Sequence, residues 1–326
     1  MLMKAKRIDI EWNPDLSIYA SEKYLKLVGE EYGWLGGHDE AGTLRCILPY
    51  TIVHKPLVRM VRFRVETIPM GNGLDVGEEK SFLASAVEYF RSIGADMVIP
   101  ATTNTIFRTY PDGADAAPYG SYVIDLTQPE ETLWANLHSK HRNVVRNASK
   151  KGVEVHSGME HMKTAHELVR DTLKRSDMGF ISYDELENLA NGLGEHFKVF
   201  IAVHEGTVQG CAMYPFSSYG AYYLYGGSIQ HPLSGAMNLL QWEAIRAFQK
   251  DGVKRYDFVG VRINPEKGSK AEGLASFKER FGGQLVQGYI WKYPIKQLKY
   301  AVYAQAVQKL RGGDIVDQER HKLNNG

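Results

Sequence analysis

A mixed α/β fold (α+β), laid out as two consecutive halves with mixed and mostly antiparallel sheets, is what this sequence predicts. Three observations carry that expectation. The chain has 326 residues, enough for two domains. Its 44% hydrophobic content furnishes cores for both. Apolar strand-like runs bounded by turns alternate with segments whose apolar residues recur at helical spacing.

In the first half, 44–54 and 57–67 read as a hairpin broken at Lys55-Pro56. A helix over 77–93 and a strand over 96–100 follow. After an apolar strand at 122–126, the run Thr127-Gln-Pro-Glu-Glu offers a capping residue, a proline near the first turn and early acids, which together start a helix. A domain boundary is expected there, giving 1–127 with 295–326 as one domain and 128–294 as the other.

The second half predicts a helix at 163–175, strands at 198–204 and 208–216 joined by the turn at 205–207, and a strand at 221–229. A helix at 236–249, a strand at 255–261, a helix at 274–281 and a strand at 285–291 complete it. The last helix, 295–310, sets Ile295, Leu298, Val302, Ala306 and Leu310 on one face, and that face is expected to dock on the first half.

Net charge is +1, which excludes a uniformly polycationic nucleic-acid binder but leaves room for a local basic stripe. The first ten residues lack the apolar core of a signal peptide, and no apolar run approaches the ~20 residues that span a bilayer, so a cytoplasmic location without an integral membrane span is expected. Cys46 and Cys211 share no motif and read as buried free thiols. P-loop, dinucleotide and nucleophile-elbow signatures are absent. His138 and His141, three residues apart, have no third ligand close by in the sequence, so neither metal nor cofactor is expected.

Four patterns carry candidate chemistry. Arg142, Arg146 and Lys150 recur every four residues and form one basic helical stripe, suited to phosphates or to plain solvation. Tyr223 and Tyr225 alternate on a strand and so share a face, toward either a substrate or a core. Asp257 ends a strand run, as a proton-handling group or as a capping or ion-paired one. In Gly273-Leu-Ala-Ser-Phe-Lys-Glu-Arg-Phe-Gly-Gly, Phe277 and Phe281 make an ordinary buried edge and Lys278 reads by itself as a solvated lysine.

That last segment resembles the Phe-Lys signature of the Fem family of tRNA-dependent aminoacyltransferases, which build peptidoglycan bridges. Similar segments precede it in the family's order: 134–153 with its basic run, Tyr222-Tyr-Leu-Tyr-Gly-Gly, Leu239-Leu-Gln-Trp-Glu-Ala-Ile and Tyr256-Asp-Phe-Val-Gly. The resemblance spans most of the second half and is loose in the first. It implies two tandem domains of the GNAT acyltransferase fold in the compact form, without a coiled-coil arm, and a last helix returning to the first domain.

It also implies a monomeric enzyme that transfers an amino acid from aminoacyl-tRNA to an amine of a cell-envelope precursor, with no cofactor. Lys278 would then be the cation beside the ester oxygen, Phe277 would pack against the substrate or lock the helix, and Tyr223 and Tyr225 would contact substrate; from their positions, Asp257 is the second catalytic candidate and Arg142, Arg146 and Lys150 are the candidate contacts to tRNA or acceptor phosphates. Compact members bind the acceptor's diphosphate with one basic residue early in the first domain and another near the second sheet. Here Lys23 is the candidate for the first, and no arginine follows Phe180 for the second. Two other readings stay open: an acyltransferase using acyl-CoA, whose pyrophosphate would sit on the degenerate loop Gln230-His-Pro-Leu-Ser-Gly-Ala, and a non-catalytic module on the same scaffold.

Overall fold

The computed structural model describes residues 2–71, 73–100 and 105–325. In chain order the first half runs β1 (Lys4–Ile8), α1 (Glu22–Val28), β2 (Glu31–His38), β3 (Leu44–Lys55), β4 (Val58–Phe63), β5 (Ile68–Pro69), α2 (Val76–Ser92), β6 (Met97–Val98) and β7 (Asp115–Asp125). The second half adds α3 (Glu130–Asn136), α4 (Ser139–Lys150), β8 (Glu154–Ser157), α5 (Met162–Lys174), α6 (Tyr183–Leu193), β9 (Phe197–His204), β10 (Thr207–Pro215), β11 (Ala221–Tyr222) and β12 (Tyr225–Ser228). It ends with α7 (Ala236–Lys250), β13 (Arg255–Asp257), α8 (Lys270–Glu279), β14 (Gln284–Pro294), α9 (Gln297–Arg311) and α10 (Ile315–Asn325).

The two halves repeat one topology, as expected of a tandem GNAT-like fold. An antiparallel series β1 to β4 is followed by α2 and by β6, which lies parallel to β4. The series β8, β9, β10 and β12 is followed by α7 and by β13, which lies parallel to β11. A continuous sheet joins them, because β14 pairs along its length with β7 and reaches β6 with its last two residues.

Local chemistry fixes several boundaries. A reciprocal capping box between Asp75 and Glu78 opens α2, which buries Phe82, Leu83, Ala86, Val87 and Phe90 under the first sheet. A similar box between Ser182 and Glu185 opens α6. Thr127 does not cap α3: its N–H and hydroxyl both turn back to Asp125, and Pro129 holds the cap position. Ser269 caps α8 through the Glu272 N–H, so that helix starts four residues before the expected Leu274. Both cysteines are free and buried. Among the described residues, no helix is long and apolar enough to cross a membrane.

Two expectations are corrected. The strand expected over 221–229 is split into β11 and β12. The helix expected at 295–310 is α9, which is not the last because α10 follows it, and it lies on the first half but not through the face its apolar spacing selects. Tyr300 and Tyr303 pack on Met60, Met97 and Ile99, while Leu298, Val302 and Leu310 are exposed.

Candidate functional site

The split strand builds the site. Where β11 gives way to β12, the Tyr223 N–H donates to the Asp257 carbonyl at 2.9 Å and the Leu224 N–H to the Met213 carbonyl at 3.0 Å. The chain thus leaves one sheet for the other within two residues. A fork opens there between β13 and β10.

Asp257, at the end of β13, is buried at the base of this fork. One of its oxygens accepts the Ser121 hydroxyl and the Val259 N–H (2.8 Å), and the other accepts the Arg255 guanidinium at 2.6 Å. Arg255 also faces Glu66 of the first half at 3.6 Å. Burial raises the Glu66 pKa, and Arg255 opposes that rise. Sequence reasoning had no signal for Ser121 or Glu66, since each lies far from Asp257 along the chain.

Pinning the Val259 N–H to Asp257 ends β13 early and forces a turn: Val259 has φ 45° and Gly260 φ 20°. Their carbonyls face α8. Lys278 donates to both, at 2.5 Å to Val259 and 2.8 Å to Gly260. Burial pulls the Lys278 pKa down to about 8, against the opposing pull of Asp257. An ammonium has three N–H donors, and the two carbonyls take two of them. Lys278 is therefore not the solvated lysine that its helix alone suggests.

Phe277 turns the other way. It packs on His141 of α4 and on Phe281, with ring centroids 5.6 and 5.2 Å apart, and so locks α8 against α4. His141 is buried between these rings, and burial, with Arg280 and His138, lowers its pKa to about 4. His138 instead caps α4 by accepting the Lys140 N–H at 3.2 Å. Among the described residues, no group of acids, histidines or cysteines is arranged to hold a metal.

The two tyrosines are not a pair on one face. Tyr223 lies at the fork and stacks on Tyr214, at 5.6 Å and 29°, in the core of the second half. A side chain at Gly226 would meet its hydroxyl at 1.8 Å, so glycine there makes room for the ring. Tyr225, beyond the fork, packs edge-on to Phe180 at 4.8 Å in the cluster that joins the halves. The same cluster holds Val259, Tyr19, Tyr24 and Tyr222. Burial pushes the Tyr225 hydroxyl up to about 12.

The basic stripe on α4 is also uneven. Arg142 is spent on the carbonyls of Ala135 and Leu137, closing the junction of α3 and α4. Arg146 is exposed and lies over the Trp134 ring at 5.2 Å, and Lys150 is exposed. Lys23 stands exposed on α1.

Comparison with known proteins bears on the same region. The FemAB family profile matches residues 211–309, which include the fork, Asp257, the strained turn and Lys278. Over this segment the chain is similar to the FemAB family. A curated lipid II:glycine glycyltransferase of Staphylococcus haemolyticus is 33% identical over 93 residues, covering 27% of this chain. The chain spans about a fifth of that relative's length, the matched share being 22%.

Beyond the Fem segment the likeness is one of fold. The crystal structure of FemX superposes with a TM-score of 0.67 at 16% identity, covering 91% of this chain and 99% of that one. The C-terminal domain of a putative lysylphosphatidylglycerol synthetase from Agrobacterium fabrum superposes at 0.52 and 14% identity, covering 88% and 91%.

Proposed function

We propose that this protein is an aminoacyltransferase that forms an amide bond, moving an amino acid from the ester of an aminoacyl-tRNA to an amine of a peptidoglycan precursor. The observation that carries the reading is the half-buried Lys278 ammonium, held by two backbone carbonyls inside the Fem segment. The glycyltransferase relative supports the acceptor class. With an RNA donor, the enzyme would act in the cytoplasm, and we propose that it does so as a monomer.

In this mechanism the acceptor nitrogen attacks the ester carbonyl carbon and the carbonyl electrons move onto oxygen. In this reading Lys278 supplies the fixed positive charge that stabilises that oxyanion. As the tetrahedral intermediate collapses, the carbon–oxygen bond to the tRNA ribose breaks. The proton lost by the nitrogen balances the one gained by the departing hydroxyl. Asp257, with both oxygens engaged, acts by fixing the Val259 turn that aims Lys278. Arg146 and Lys150 are the side chains of the α4 stripe open to donor phosphates.

The start of α7 disfavours acyl-CoA as donor. The Leu233 N–H already donates to Gln209 at 2.8 Å, and the Ala236 N–H to the Leu233 carbonyl at 3.0 Å. A Cβ at Gly235 would lie 2.6 Å from the Val144 carbonyl, so α4 packs directly over the place where a pyrophosphate would need open N–H groups. The deciding experiment is a donor screen in which aminoacyl-tRNAs and acyl-CoAs compete for one amine acceptor. Amide formation from charged tRNA alone is expected. Turnover with acyl-CoA alone would overturn the reading, and inactivity with both donor classes would favour a binding module.

A further inference from the structure

Helix α9 buries one apolar face and leaves another open. Its inner face seats Tyr300 and Tyr303 against Met60, Met97 and Ile99, while Lys296 and Lys299 both pair with Asp96 at 2.9 Å. On its outer side Leu298, Val302 and Leu310 are 86, 68 and 81% exposed, with Ala306 also exposed between them. The helix contains no acidic residue, and its last turn carries Lys309 and Arg311.

Beside that last turn lies a second cation. Met60 faces α9, and because side chains alternate along a strand, Arg62 on β4 faces it as well. The Arg62 side chain is half-buried, and its Nε, itself out of solvent, has no hydrogen-bond partner among the described residues. The side chains that act on it electrostatically are the Tyr303 hydroxyl and Arg311, another cation. Arg62 and Arg311 thus adjoin the open apolar stripe, and both act on Tyr303, as does Asp314.

We propose that α9 is a docking helix for an anionic lipid bilayer surface. Leu298, Val302 and Leu310 enter the boundary between headgroups and acyl chains, and Lys309, Arg311 and Arg62 meet lipid phosphates. An exposed apolar face edged by cations is the pattern of a helix that lies in such an interface. Charge selects this occupant over a second copy of the chain, because self-pairing would bring two acid-free, base-rich helices together. The proposal stands apart from the aminoacyl-transfer reading, since surface binding requires no turnover.

The test is co-sedimentation of the full chain with vesicles of phosphatidylglycerol mixed into phosphatidylcholine, compared with phosphatidylcholine alone, at several salt concentrations. Binding to the anionic vesicles that weakens with salt is expected. Leu298→Gln with Val302→Gln should weaken it at least ~10-fold while melting like wild type, because both side chains are already in water. Arg311→Gln, and separately Arg62→Gln, should weaken binding and flatten its salt dependence. Arg311 lies at the helix end, so its variant stands even if Arg62→Gln misfolds. Equal binding to neutral vesicles, no binding to either kind, or apolar-stripe variants that bind like wild type would each overturn the proposal. So would self-association in solution that the same variants abolish while vesicle binding persists.

Discussion

Lys278 donates to the carbonyl of Val259 at 2.5 Å, and Val259 is held at φ 45°, a left-handed conformation that a β-branched residue enters only under constraint. The constraint is the Val259 N–H on Asp257, itself gripped by Arg255 and Ser121. Strain of this kind costs about 1–3 kcal/mol and survives where its surroundings over-determine it. What the strain achieves here is direction. Two carbonyls point at one ammonium.

Lys278→Met should lower single-turnover transfer from the cognate donor by at least ~10²-fold, the scale for losing one preorganised oxyanion donor. Two carbonyls would lose their partner, at a cost of about 1–2 kcal/mol, so the protein should melt slightly earlier yet still fold. Lys278→Arg should rescue poorly, because a planar fork cannot place charge where a compact ammonium does. Wild-type transfer by a normally folded Lys278→Met would remove Lys278 from the mechanism.

The pH dependence follows from burial, which holds Lys278 at about 8 against an ordinary 10.5. Between those values the unfolded chain keeps a proton that the folded chain has released. The contribution of this group to stability therefore rises with pH across that window. Activity should move the other way, because the cationic form is lost as pH rises through about 8. A rate profile measured at saturating acceptor should fall on its alkaline side. In Lys278→Arg that fall should vanish from an already low rate, and a limb that stays put in the arginine variant would assign it to another group.

The sequence exposed the regular elements and hid the site. Helix α2 was legible because its apolar spacing and its boundaries are local, and the expected 77–93 differs by one residue at each end from Val76–Ser92. The fork was not legible: 221–229 reads as one strand, and its break depends on Asp257 and Met213, which bond Tyr223 and Leu224 from elsewhere in the chain. Helix α9 misled for a different reason. It is apolar on two faces, and periodicity cannot say whether Tyr300 and Tyr303 or Leu298 and Val302 go inside. Lys278 stood out only by family resemblance, since nothing in its own helix announces the carbonyls of Val259 and Gly260.

Arg255→Met should be among the most destabilising single changes. It would leave Asp257 and Glu66 as buried acids with no cation between them, a situation that typically costs roughly 3–5 kcal/mol. Burial already raises the Glu66 pKa, so the loss should shrink as pH falls and Glu66 takes up a proton. Adding Glu66→Gln to Arg255→Met should recover part of the stability. Melts of the two variants at neutral and acid pH make the check. A single variant that melts like wild type would mean that this ion pair does not tie the halves together.

Val259→Gly separates strain from chemistry. Glycine enters φ 45° without the steric penalty, so the substitution releases about 1–3 kcal/mol of strain. It also removes a partly buried side chain packed on the cluster between the halves, worth about 1–1.5 kcal/mol at this degree of burial. These effects oppose one another, and the melt should shift little. The turn, however, loses the stiffness that keeps both carbonyls on Lys278, so transfer should fall by roughly 10-fold, the cost of about 1.4 kcal/mol in transition-state stabilisation. Stability and rate are measured on the same preparation, with the pH profile recorded beside them. If Val259→Gly transfers at the wild-type rate with an unchanged alkaline limb, then the strained turn is a consequence of packing and plays no part in aiming the ammonium.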